Sequence, residues 1–259
     1  MNVGASIASP SVTMDLPIIR ARGVTKWYGA VNALKPTDFE VNRNEIVGLI
    51  GDNGAGKSTL IKVISGAHPP TEGEIEVDGE PVVFRSTRDA MRRGIETIYQ
   101  YNAMIPQMSI SRNIFIGREP IKYRIGPLRI MDLEHMNREA MRSVESLDLN
   151  LRSAETPVVD LSGGQRQSVV IARAMHFKSK VVILDEPTNH LSVKETNKVL
   201  DQTLHLKDQG ISAVFISHNM HHVHQMADRI VAMARGQKIA DVRKEDISAD
   251  DLYKLLTDS

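Results

Sequence analysis

The sequence predicts an α/β fold with a mostly parallel core sheet, an N-terminal antiparallel β subdomain and an inserted α-helical lobe. Three observations predict it. Short unbroken apolar runs, EIVGLI, VVILD, AVFIS and RIVAMA, suit strands buried on both faces, and helical-period or turn segments lie between them. Near the start, IIRARGVTKWYG and the segment 39–41 read instead as short strands of alternating or β-branched character, divided by turn residues. From 110 to about 176 the period becomes helical, in SRNIFIG, LEHMNREAMRSVESLDL and GGQRQSVVIARAM, which marks a lobe inserted over approximately 102–176.

Taken in order, residues 1–16 lack the basic n-region and unbroken apolar core of a signal peptide, and their Pro, Ser and Gly read as a loose tail. That leaves 17–259 as the folded unit. After the antiparallel opening, EIVGLI leads into a glycine-rich loop and then LIKVISGA, a helix ending near Gly66. EIEVDGEPVVF reads as a hairpin turning at Asp78 and Gly79, and IETIYQ as another strand. Beyond the lobe, VVILD, a helix over 193–209 and AVFIS alternate as a right-handed βαβ crossover requires.

The chain of 259 residues is long enough to bury a substantial core. Its 32 basic and 32 acidic residues cancel, so overall charge favours neither nucleic acid nor an anionic membrane surface as a general partner. The absence of cysteine excludes disulfides, thiolate metal sites and cysteine nucleophiles, and suits a cytoplasmic setting. No stretch approaches the roughly 18 apolar residues that a membrane crossing needs, so a membrane role has to come through a partner.

GDNGAGKST, from Gly51 through Asp52, Asn53, Gly54, Ala55, Gly56, Lys57 and Ser58 to Thr59, matches G-x-x-x-x-G-K-[ST] between a buried strand and a helix. Its glycines let backbone wrap a phosphate, the helix start offers free N–H groups, Lys57 adds a charge and the Ser58 hydroxyl suits Mg²⁺. This assigns the P-loop NTPase class. VVILDE delivers Asp185 and Glu186 at a strand's carboxyl end, where α/β sheets bind ligands, so Asp185 can hold Mg²⁺ and Glu186 can activate water. Standing alone, the pair would equally suit a solvated loop. His218 follows AVFIS and faces the same sheet edge, within reach of a γ-phosphate. His221, His222 and His224 follow closely; His218, His221 and His222 could share a helical face, and a metal site there is an open alternative.

LSGGQRQ has a Ser162 able to cap a helix opened by two glycines, and it is either a capped helix start alone or a second anion contact. The order GDNGAGKST, LSGGQRQ, VVILDE and His218 resembles the ATP-binding subunit of ABC transporters, over roughly 18–241. The resemblance implies ATP and Mg²⁺ as cofactors, with Gln100 contacting both Mg²⁺ and the transport partner. It implies that Leu161, Ser162, Gly163, Gly164 and Gln165 contact the ATP held by the other subunit of a head-to-tail homodimer. Tyr28 resembles the aromatic that stacks on adenine; a flat π-face suits that, and core packing is the alternative.

Within the family, DGEPVVFRSTRDA and GIETIYQ look most like subunits of bacterial importers for ribose, fructose and related monosaccharides. The partners this implies are an integral membrane permease and, indirectly, a periplasmic or extracellular sugar-binding protein, with the chain peripheral on the cytoplasmic face of the inner membrane and no nucleic acid bound. Met104, Ile105 and Met108 suit either a groove for a permease helix or the lobe's own core. One departure is evident: after EPT the family usually reads S-A-L-D, whereas here Asn189, His190, Leu191 and Ser192 follow, with serine at the aspartate position. A DNA-repair ATPase of the same superfamily would need a long coiled coil before the signature, and no sustained heptad run is present. A P-loop kinase would leave LSGGQRQ and Glu186 with His218 unexplained.

Overall fold

The centre of the molecule is a six-stranded sheet, seen in a computed structural model that describes residues 16–99 and 104–257. The antiparallel opening consists of β1 (Ile19–Tyr28) and β2 (Val31–Val41). The second strand is much longer than the expected 39–41, because its outer half pairs with β1 across the turn at Gly29. β3 (Ile46–Ile50) is buried throughout and leads through the glycine loop into α1 (Lys57–Ile64). β4 (Glu72–Val77) and β5 (Glu80–Val82) form the expected hairpin about Asp78 and Gly79, then α2 (Thr87–Arg92) and β6 (Ile95–Ile98) follow.

The lobe holds α3 (Ile110–Phe115), α4 (Leu133–Glu145) and α5 (Gly163–His176). The expectation of a helical lobe is incomplete, because the lobe also carries a hairpin of β7 (Ile121–Ile125) and β8 (Leu128–Met131). The alternation in KYRIGPLRI and its Gly126–Pro127 turn favour strands locally, and every residue of both strands is exposed. The core then resumes with β9 (Val181–Asp185), α6 (Val193–Asp208), β10 (Ser212–Ile216), α7 (Met220–Met226), β11 (Arg229–Ala234), β12 (Gln237–Arg243) and α8 (Ala249–Thr257).

The first sheet is antiparallel, in the order β2-β1-β4-β5; the second runs β12-β11-β3-β10-β9-β6, parallel except for β12 at its edge. Burial on both faces explains the continuous apolar runs. Along β3, Ile46 and Ile50 face one cluster and Val47 and Leu49 the other; in β9, Val182 and Leu184 oppose Val181 and Ile183 in the same way. Gly48 lets α7 close on the sheet, since a Cβ there would lie 2.4 Å from Val223 Cγ1. The register fixes the site: Leu49, Ile216 and Asp185 stand abreast on the neighbouring parallel strands β3, β10 and β9. The loops that follow these three strands must therefore leave the sheet side by side.

A buried charge cluster joins sheet to lobe. Glu96 on β6 is 2% exposed; Arg173 Nε of α5 lies 2.9 Å from one of its oxygens, and Arg118 donates to the other at 3.0 Å. Arg118 also stacks over Phe177, 4.4 Å from the ring centroid.

Candidate functional site

The glycine loop leaves β3 and folds back on itself. Gly51 passes so close to β11 that a Cβ would sit 2.3 Å from the Met233 carbonyl oxygen, so no other residue fits there. No side chain caps α1, which leaves its first N–H groups turned to the loop. Lys57 Nζ donates to the carbonyls of Gly51 and, at 3.0 Å, Asp52. Burial pulls the Lys57 ammonium below the usual lysine range, against the opposing pull of Glu186, Asp185 and Asp52. Ser58, beside it, is exposed.

Asp185 ends β9. Burial, then repulsion from Glu186, raises its carboxyl above the ordinary aspartate value, while Lys57 and Lys62 draw it down. Asp185 and Glu186 supply neighbouring carboxylate oxygens, hard ligands that suit a divalent cation. Glu186 has φ 52°, a left-handed backbone uncommon in a non-glycine residue, fixed as its N–H donates to the Ile216 carbonyl at 3.0 Å. That turn aims its carboxylate at His218, whose Nδ1 lies 3.0 Å from Glu186 Oε2. A cavity of about 520 Å³ is lined by Gly51, Asp52, Asn53, Lys57, Glu186 and His218, and also by Met220 and by Tyr253, Leu256 and Thr257 of α8. The phosphate loop, the carboxylate and the imidazole thus meet in one hollow, with α8 as a wall that the sequence reading did not include.

Other expected residues fall into place to different degrees. Tyr28, at the end of β1, is exposed; its hydroxyl pairs with His68 Nδ1 at 2.8 Å, and Lys26 lies over its ring. It is therefore not a core residue. Gln100 lies outside the described residues, and so do 1–15 of the expected tail. Met104 is half-buried against the lobe's core and lines a second hollow, of about 300 Å³, with Tyr99, Gly163, Asp185, Glu186 and Leu191, while Ile105 is exposed. Asn113, not singled out from the sequence, pins this stretch by donating to the carbonyls of Ile105, Met108 and Ser109.

The histidines do not converge. His218 precedes α7 rather than sharing its face, His222 contacts Thr188 and Asn219, and His224 contacts the Ile247 carbonyl. Among the described residues, no group of three or more His, Asp or Glu could hold a metal ion.

Ser162 caps α5 in a reciprocal box with Gln165, as its spacing predicts, and Leu161 is buried beneath. Ser162 lines neither hollow. Its hydroxyl instead meets Glu195, a residue the sequence reading passed over, although S-x-x-E from Ser192 to Glu195 is a readable capping box.

A phosphate loop between strand and helix, with a carboxylate-ended parallel strand one strand removed in the same sheet, defines the phosphate-loop class of α/β proteins. The chain matches the ABC transporter family over residues 34–189, and it belongs to that family. It is 45% identical over 244 residues to a fructose import ATP-binding protein of Rhizobium meliloti, covering 93% of this chain and 94% of that protein. A xylose/arabinose import ATP-binding protein of Sulfolobus acidocaldarius is 41% identical over 240 residues, with 93% and 94% covered. A ribose import ATP-binding protein of Rhodopirellula baltica is 36% identical, but this chain spans only 47% of its length. Among solved structures, a nucleotide-free ATP-binding cassette of an ABC transporter superposes with TM-score 0.79 at 26% identity, covering 94% of this chain and 96% of that one. A cassette solved as a dimer, in a post-hydrolysis state with ADP and phosphate, gives 0.73 at 25% identity, covering 87% and 98%.

Proposed function

We propose that this chain is the ATP-hydrolysing subunit that drives import of a monosaccharide through a membrane permease, working as a homodimer held peripherally on the cytoplasmic face of the membrane. The observation that carries it is the hollow where Lys57, Glu186 and His218 meet, in a chain so similar over its length to sugar-import ATP-binding proteins. No helix among the described residues is long and apolar enough to cross a membrane, which fits a subunit that reaches the bilayer through a partner.

In this reading the loop's N–H groups and Lys57 cradle the phosphates of ATP, and Tyr28 offers its ring to adenine. Ser58, Asp185 and Gln100 would hold Mg²⁺, which would neutralise charge on the β- and γ-phosphates. Glu186 accepts the proton of the attacking water, and His218, hydrogen-bonded to Glu186, faces the γ-phosphate. The glycine turn 161–165 of a second copy closes over that phosphate. The deciding experiment purifies the chain with its permease and measures ATPase stimulation by a binding protein loaded with a panel of sugars. Stimulation by one monosaccharide is expected; stimulation by none, with activity on another class of solute, refutes the sugar assignment.

A further inference from the structure

The glycine turn at the start of α5 is held by a carboxylate of its own chain. Ser162 Oγ donates to Glu195 Oε1 at 2.8 Å, and the Gly164 N–H donates to the same oxygen at 3.3 Å. The other oxygen, Oε2, accepts from the Ser192 N–H at 3.1 Å and the Ser192 hydroxyl at 2.9 Å. One side chain thus ties the start of α5 to the start of α6. The tie also explains a glycine. Gly164 has an ordinary φ, but a Cβ on it would lie 2.8 Å from Glu195 Cγ and 2.9 Å from Glu195 Cβ. These hydrogen bonds, that of Ser162 first, hold the Glu195 carboxyl down to about 2, so it is anionic at any physiological pH.

Donor accounting then creates a conflict. A serine hydroxyl has one proton to donate, and the oxygens of an ionised γ-phosphate only accept. The proton of Ser162 and the N–H of Gly164 are both already committed to an anion. If the turn meets the ATP of a second copy, as proposed above and on which this inference rests, Glu195 and that phosphate compete for the same donors. Two anions at one helix start also repel each other.

We propose that Glu195 is a resident competitor at the signature turn: in the free subunit it occupies the Ser162 and Gly164 donors, and it must release them before a second copy's ATP can be closed in. Oε2 can remain on the cap of α6 throughout, so release takes only a turn of the carboxylate end and leaves both helices intact. The consequence is a threshold. The dimer closes at a higher ATP concentration than the phosphate loop alone would require.

The test uses a Glu186→Gln parent, in which hydrolysis is blocked, and follows ATP-driven dimerisation by light scattering, with ATP binding to the monomer measured alongside so that loading and closure are separated. Glu195→Gln keeps the length of the side chain and, as Gln165 does on α5, still suits the third position of a capping box. It removes the charge and turns one acceptor oxygen into a donor. The expected result is that Glu195→Gln, and Glu195→Ala likewise, lower the half-maximal ATP concentration for dimerisation at least threefold. An unchanged or raised concentration in a Glu195→Gln protein that melts like its parent overturns the proposal, since a merely structural cap would weaken closure. If the Glu186→Gln parent loads ATP yet never dimerises, the reading of the signature itself is wrong and this inference falls with it.

Discussion

Replacing Glu96 by alanine removes a carboxylate that Arg173 and Arg118 both approach, at 2.9 and 3.0 Å, from a position only 2% exposed. Removing one partner from a buried ionic cluster typically costs ~3–5 kcal/mol, because the remaining charge stays desolvated. Two features favour the lower end: the Arg118 side chain is 23% exposed, and its guanidinium keeps its contact with the Phe177 ring. At about 2–4 °C per kcal/mol for a domain of this size, a loss of ~3 kcal/mol lowers the melting temperature by about 6–12 °C. The cluster spans β6 and the lobe, so hydrogen exchange should rise first in α3 and α5 rather than uniformly. Urea denaturation gives the energy, and Glu96→Gln, which retains shape and one acceptor oxygen, separates charge from packing. A loss below ~1 kcal/mol for Glu96→Ala, comparable to an exposed pair, would refute the claim that this cluster is desolvated.

Glu186→Gln should lower ATP turnover by about 10²–10⁴-fold, as loss of a general base does, while ATP still binds; normal turnover in a phosphate-release assay would remove Glu186 from that role. For Asp185, burial and Glu186 raise the carboxyl in the folded protein, so the native state binds this proton more tightly than the unfolded chain does. Its charge therefore costs stability at neutral pH, and that cost vanishes as pH falls below the ordinary aspartate value of 3.8. Asp185→Asn should accordingly raise the melting temperature at pH 7, by an increment that shrinks towards pH 4, while Mg²⁺-dependent hydrolysis is lost; an equal or lower melting temperature at pH 7 would contradict the argument. Tyr28→Ala should weaken ATP binding about 5- to 150-fold, from the ~1–3 kcal/mol of a base stacked on an aromatic ring, and Tyr28→Phe should keep it. Equal affinity of the alanine and phenylalanine variants, measured by titration, would place the base elsewhere.

Much of the fold and half of the site could be read from local pattern, for a definite reason. β3, β9 and β10 are buried on both faces, so their runs are unbroken, and a polar residue stands at the end of β9 (Asp185) or two residues past the end of β3 (Asp52) and β10 (His218), at the ligand edge of the parallel sheet. Asp185, Glu186 and His218 follow directly from that. The hairpin of β7 and β8 escaped because the helical period on either side of it dominates the region, whereas the hairpin buries neither face and so obeys only its own turn. The α8 wall escaped because a short C-terminal helix gives no sign of where it docks. Contacts of this kind depend on the way distant segments are brought together, and no spacing rule within one segment encodes them.

The two glycines of LSGGQRQ make the point most directly. Read locally, a glycine pair signals either a positive φ or backbone left bare for a ligand. Neither glycine has a positive φ, and the clearance each provides is to its own chain: a Cβ on Gly163 would meet Leu191 at 2.8 Å, and one on Gly164 would meet Glu195. Leu191 lies in the turn that follows Glu186, where serine stands at 192 in place of the family's usual aspartate, and Glu195 lies in the first turn of α6. Ser192 caps α6 there, and the carboxylate three residues on faces the signature instead. The signature glycines are thus sized by Leu191 and Glu195, which follow Glu186 in the chain. On this view, substitutions at Leu191 should disturb the signature as much as substitutions within it.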